Sequence, residues 1–448
     1  MSRADSPNSL RVAVVGAGWA GCAAAVELVR QGHQVTLFEA SRTLGGRARR
    51  VQIGQALLDN GQHILLAAYT QALGLMREVG ISLDDAVMRL PLQMRYPAFD
   101  DGMDFVAARL PAPLHLAVAT LRAKGLGSED KLALARFSSA ARWMNWGLNQ
   151  DCSVSELLDR FDQPDRLIRL MWRPLCIAAL TTPPERASAQ VFLNVLRDSL
   201  GARRAASDML LPRADLTALF PECAARYIEQ HESKVLLGAS VQAIHRAGDG
   251  WQLDFSGRDA GSESFDGVVI ATPPWQAAVL LNEKADTTML ESLQYESIST
   301  CYLQYSSALR LPSPFFALAE NPEQNKWAQF VFDRGQLHAS NDGLLAAVIS
   351  SSQEASSAGH DALASSVALQ LAQAFRMPEL AYPDWTKVIT EKRAGFSCAP
   401  SLLRPGNETG VRGLVLAGDY TAGDYPATLE GAARSGIKAA GILANMRG

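Results

Sequence analysis

Residues Arg11 to Glu39 read RVAVVGAGWAGCAAAVELVRQGHQVTLFE. Val12, Val14 and Val15 are β-branched and make Arg11 to Val15 a short buried strand. The glycine turn from Gly16 to Gly21 follows at once, and then a small-residue helix that ends at Gly32. Gln34 to Phe38 is a second strand, closed by Glu39. A strand–turn–helix–strand unit with glycines at 16, 18 and 21 is the opening of a doubly wound α/β domain that binds a dinucleotide. Gly16 permits the tight turn out of the strand, Gly18 clears room for a pyrophosphate, and Gly21 lets helix and sheet approach closely. The helix start, with Trp19 and Ala20, presents free N–H groups to the phosphates. Glu39, with Ala40 beside it, is placed for ribose hydroxyls. A 2′-phosphate there would meet like charge, so NADP is disfavoured.

The 448 residues predict two or three globular units. With 48% hydrophobic and 20% charged residues, the chain is an ordinary folded protein. A net charge of −4 offers no basic footprint for nucleic acid. The cysteines at 22, 152, 176, 223, 301 and 398 have no close pairs. This excludes ribbon-type zinc spacing and CxxC redox chemistry, predicts no metal site, and suits a reducing compartment. Residues 1–9 are polar and read as a disordered leader rather than a signal peptide. Leu110 to Leu121 (LPAPLHLAVATL) is the most apolar run and is too short to cross a bilayer. The expectation is a cytoplasmic protein, with side-on contact to the inner membrane left open.

Beyond Glu39 the chain reads ASRTLGGRAR, a Gly45-Gly46 turn with Arg47 directly after it. Far downstream, Gly413 to Ala417 is an apolar strand running into Gly418-Asp419. A small-residue helix follows from Thr428 (TLEGAARSGIKAAGIL). The strand delivers Asp419 at its carboxyl end, where parallel sheets bind ligands. These fragments resemble the flavin amine oxidase and phytoene desaturase superfamily, so FAD is the expected cofactor. By that resemblance Gly46 and Arg47 contact FAD, Gly418 and Asp419 lie by its ribityl–pyrophosphate region, and Leu429 opens the helix beside the ring. The resemblance also sets the backbone of Val241, in KVLLGASVQAIH, against the adenine. An ordinary core valine is an equal reading.

The resemblance implies a Rossmann-type FAD-binding domain that is discontinuous, built from 10–85, 205–285 and 388–448. A second, mixed α+β substrate domain is expected from 86–204 and 286–387. The first insert is rich in large apolar residues, among them Trp143, Met144, Trp146, Met171, Trp172, Leu175, Leu180, Phe192 and Leu196. At helical spacing these are core, and collectively they also suit a tunnel for a long hydrocarbon.

LDNGQHILLAAY (58–69), MWRPLCIAALTTPPERAS (171–188), LPRADL (211–216) and ATPPW (271–275) narrow the resemblance to the hydroxysqualene dehydroxylases of bacterial hopanoid biosynthesis. That resemblance implies conversion of hydroxysqualene to squalene with reduced FAD, and upstream squalene-pathway synthases as partners. Gly61, Gln62 and His63 are expected beside the flavin ring, with His63 as acid or proton relay and Asp59 or Gln62 orienting it. A purely structural His63 is an equal reading, and Tyr425 and Glu430 are weaker candidates. Cys398 lacks matching surroundings for a covalent flavin bond. A carotenoid-type desaturase or an amine oxidase is the alternative. For the first, Arg213-Ala214 stands where such desaturases carry Gly-Gly; for the second, only Lys387 and Lys392 could serve as the lysine near the ring. A flavin-binding scaffold without catalysis is a third reading.

Overall fold

The computed structural model describes residues 9–54, 56–97, 102–257 and 260–447. The expected leader therefore lies outside the described residues except for Ser9. Five parallel strands form the first sheet, in the order Lys234–Leu237, Gln34–Glu39, Arg11–Val15, Gly267–Ile270, Leu414–Leu416. The central strand Arg11–Val15 is buried from Val12 onward, as expected for a strand covered on both faces. The strand order turns back between Arg11–Val15 and Gly267–Ile270, which opens a crevice at their carboxyl ends.

Two helices cover one face of this sheet. Trp19–Arg30 is buried along almost its whole length, because the C-terminal helix Leu429–Ala444 lies directly against it. Gly436 makes that approach possible: a side chain there would overlap the Ala20 carbonyl. Small residues in both helices thus fix the spacing of two segments more than 400 positions apart.

The second large sheet is antiparallel, in the order Phe315–Ala317, Phe330–Asp333, Leu344–Ser350, Tyr295–Gln304, Trp385–Phe396. Its strands alternate with period two. Cys301, Leu303, Leu345 and Ala347 face the helix His360–Phe375 and form a separate core with Leu363, Val367 and Leu371. Thr300, Tyr302, Phe332 and Ala346 face the other way. Tyr302, Phe332 and Ala346 share a core with the helical insert and the parallel sheet. A domain boundary at 388 cuts the strand Trp385–Phe396, which pairs with Tyr295–Gln304 along its length.

The helical insert contains Leu114–Arg122, Ser128–Trp143, Val154–Arg160, Arg173–Leu180 and Ala189–Leu196. Trp172, Met171, Leu180, Phe192 and Leu196 are buried in the shared core, and Trp146 and Leu175 pack against it. Trp143 departs from the expectation. It is 89% exposed and serves neither core nor tunnel.

Candidate functional site

The crevice is built by two glycine turns lying against one another. Gly16 takes φ +103°, and a Cβ there would come 2.8 Å from the Ala271 carbonyl oxygen. A side chain on Gly21 would overlap the Gly16 carbonyl, so the turn and the first helical turn touch without a side chain between them. The second turn docks on the first: Gly45 N–H donates to the Ala17 carbonyl at 2.9 Å. Gly46, at φ +62°, would place a Cβ 3.1 Å from Gly18 Cα.

Glu39 holds this arrangement from below. Its Oε2 accepts from Ala17 N at 2.8 Å and its Oε1 from Ser41 N at 2.8 Å. A carboxylate has about four acceptor sites, so lone pairs remain for ribose hydroxyls. Ala40 beside it is exposed. Trp19 packs at a tilt on Phe220 with ring centroids 4.9 Å apart, and Ala20 is buried with its carbonyl against Gly436 of the C-terminal helix. Val241 is 5% exposed with its side chain in the core, and it pairs with Phe255 in an antiparallel ladder. Leu429 packs against the apolar core next to Thr428, whose hydroxyl caps the helix at Gly431 N.

Arg47 and Asp419, 372 residues apart, meet in an ion pair of 2.6 Å. Arg47 Nη1 also donates to the Ala394 carbonyl at 2.7 Å. Burial pulls the guanidinium down, but Asp419 outweighs it and holds Arg47 charged, above its usual range. The cation is therefore partnered and fixed, not a free loop arginine. Gly418 is needed here because the Tyr420 ring occupies the space of any Cβ.

The segment Asn60 to His63 runs past this pair. Asn60 Nδ2 donates to the Arg47 carbonyl at 3.0 Å and to Glu391 Oε2 at 3.2 Å. Asp59 and Gln62 do not orient His63. They belong instead to a buried polar network that short motifs do not reveal. Gln62 Nε2 donates to Tyr302 OH at 2.8 Å, and Arg334 Nη1 donates to Gln62 Oε1 at 2.9 Å. Tyr302 OH donates to the Asp59 carbonyl at 2.8 Å, and Asp59 Oδ1 accepts from Leu216 N at 2.8 Å. Burial pushes the Asp59 carboxyl up to about 6, although Arg334, 3.5 Å away, opposes the shift.

His63 is half-buried, and its Nδ1 lies 3.2 Å from the Gly61 carbonyl, which fixes Nδ1 as the protonated nitrogen. Burial lowers its pKa, so the resting imidazole is neutral with Nε2 as an acceptor. That geometry fits a relay better than a resident acid. Glu430 is fully buried and caps the helix Thr70–Glu78, accepting from Ala72 N at 2.9 Å and Gln71 N at 3.2 Å. Tyr425 donates to Asp198 at 2.8 Å. Both therefore have structural employment.

The residues fit a flavin nucleotide. The paired glycine turns leave a cradle that side chains would fill. Two buried hydroxyls near Arg47 and Gly61, on Tyr420 and Thr300, have no partner among the described residues. Thr300 Oγ1 lies 3.9 Å from where a Gly61 Cβ would sit. Only the period-two alternation of its strand hints at this position in the sequence. Lys387 and Lys392 are both exposed. Cys398 is buried, with its thiol pushed up to about 12 by burial, so it stays protonated.

Comparison with known proteins defines the class. The flavin containing amine oxidoreductase family matches residues 19–444, and the chain belongs to it. It is an FAD-dependent oxidoreductase. It is similar to the hydroxysqualene dehydroxylase of Rhodopseudomonas palustris, at 29% identity over 97% of this chain and 98% of that one. The Sinorhizobium fredii protein of the same name is 26% identical over 96% and 97%. Zeta-carotene desaturase from Synechocystis is 25% identical over 97% and 98%. Among solved structures, cyclohexylamine oxidase from Brevibacterium oxydans shares the fold with a TM-score of 0.68 at 20% identity, covering 97% of this chain and 99% of that one.

Proposed function

We propose that the protein reductively removes the allylic hydroxyl of hydroxysqualene, releasing squalene and water. The similarity to hydroxysqualene dehydroxylases along nearly the full length of both chains carries the reading. FAD, which the glycine turns and the Arg47–Asp419 pair would hold, would in its reduced form supply the hydride that replaces the hydroxyl, and the oxygen would leave as water with one added proton.

The chain's own residues do the rest. The apolar core shared by the helical insert and the two large sheets, which includes Met171, Phe192 and Phe332, keeps that side of the site dry. The Asp59–Arg334–Gln62–Tyr302 network fixes the backbone from Asp59 to His63. His63 moves the proton: Gly61 holds Nδ1–H, and Nε2 takes a proton from solvent and gives it to the departing hydroxyl. An imidazole of lowered pKa is a stronger acid once protonated, and general acid help of this kind is worth about 10²–10⁴-fold.

Anaerobic incubation of the reduced enzyme with hydroxysqualene tests the proposal. Squalene in the lipid extract, with one flavin oxidised per squalene formed, is expected. A flavin that stays reduced contradicts it. His63→Ala is expected to bind FAD normally and slow that turnover at least tenfold, and an unchanged rate removes His63 from proton transfer. The desaturase relatives motivate a second reading, hydrogen removal from a polyene by oxidised FAD. Bleaching of the oxidised flavin by zeta-carotene or phytoene would favour it.

A further inference from the structure

Among the described residues, five of the fourteen exposed large apolar side chains fall between 110 and 143: Leu110, Leu114, Leu121, Leu132 and Trp143. The stretch from Arg109 to Trp143 also carries six basic and two acidic residues, a net charge of +4 within a chain of −4. An apolar cluster and a local reversal of charge thus coincide.

Helix geometry turns these side chains outward. Leu114–Arg122 buries His115 and Ala119, and on its opposite side shows Leu114 at 55% and Leu121 at 71% exposure. Ser128–Trp143 buries Ala133, Leu134, Phe137 and Ala141. Leu132 and Trp143 are eleven residues apart, close to three turns, and share its outer face. The helices are neighbours, joined where Lys131 Nζ donates to the Leu121 carbonyl at 2.9 Å. The exposed Arg109, Arg122, Arg136 and Arg142 make no ion pair with a described residue.

We propose that this helix pair docks on an anionic lipid bilayer. Leu114–Arg122 lies in the plane of the interface with its leucines among the acyl chains, and Trp143 and the arginines sit at headgroup level. Charge selects this occupant. A second copy of the chain would bring +4 against +4, whereas an anionic leaflet neutralises the arginines while it covers the leucines. Among the described residues no helix is long and apolar enough to cross a membrane, so the contact is from one side. The inference does not depend on which substrate the enzyme takes.

Co-sedimentation of the FAD-loaded protein with vesicles tests it. Vesicles containing phosphatidylglycerol are expected to bind the protein at least tenfold more tightly than phosphatidylcholine vesicles at low salt. Leu114→Glu/Leu121→Glu is expected to lose at least tenfold on the anionic vesicles, with flavin content and melting temperature unchanged. Arg109→Glu/Arg122→Glu is expected to lose the preference for anionic lipid. Wild-type protein that ignores anionic vesicles, or a leucine variant that binds as well as wild type, overturns the proposal. So does a wild-type dimer that the leucine variant converts to monomer, which would assign the face to a second copy.

Discussion

The glycine-built crevice and the helical insert use side-chain size in opposite ways. The crevice is shaped by side chains that are missing: Gly16, Gly21, Gly46 and Gly418 each stand where a Cβ would meet backbone or a ring. The insert is built from large side chains, and identical residues meet different fates. Trp172 is 2% exposed and Trp143 is 89% exposed. Local sequence dictates the first region because its positive φ values and close backbone approaches admit little besides glycine. It leaves the second open, since a tryptophan at helical spacing suits a core and an interface alike.

The sharpest break of this contrast is Gly21→Val. The new side chain overlaps the Gly16 carbonyl in a turn that cannot yield, so loss of bound FAD and of soluble folded protein is expected. A variant that retains flavin would show that the turn has slack. The tryptophans come next. Trp172→Ala is expected to cost about 3–5 kcal/mol by chemical denaturation, and Trp143→Ala under about 0.5 kcal/mol. Equal costs would erase the distinction between the two faces of the insert.

Arg47→Ala leaves the Asp419 side chain, 10% exposed, without its cation. Because Arg47 itself is one-third exposed, a loss of about 2–3 kcal/mol is expected, below that of a fully buried pair. Arg47→Ala/Asp419→Asn is expected to recover part of the stability but not the FAD affinity, and equilibrium unfolding with FAD titration checks both. A further effect, confined to a narrow window, is on pH dependence. Folded Asp59 holds its proton to about 6, whereas its ordinary value is 3.8. Between these values the folded chain binds more protons than the unfolded one, so Asp59 makes stability fall as pH rises from about 4 to 6. Asp59→Asn is expected to flatten that part of the pH–stability curve, and an unaltered slope would show that Asp59 ionises normally.

Much of the cofactor half is legible from residues 11–39 and 413–443, because turn geometry and small-residue helices are local properties. The partnerships are not. Arg47 and Asp419 each read as cofactor-facing, yet nothing in either motif states that they pair with one another. Glu430 sits in a flavin-type motif and spends its carboxylate on the start of the helix Thr70–Glu78. Arg334 and Tyr302 lie in stretches without any motif and reach Asp59 and Gln62 only after the second sheet closes over the NGQH segment. Such contacts are set by tertiary packing between distant segments, which periodicity does not encode.

Flavin stoichiometry bears most directly on the central claim that the two glycine turns and the Arg47–Asp419 pair form one FAD site. Purified wild-type protein is predicted to carry one FAD per chain, or to take up one on titration. Acid is predicted to release all of it, since Cys398 remains a buried thiol. Protein that stays colourless in excess FAD would contradict this account, as would flavin that stays with the acid-precipitated chain.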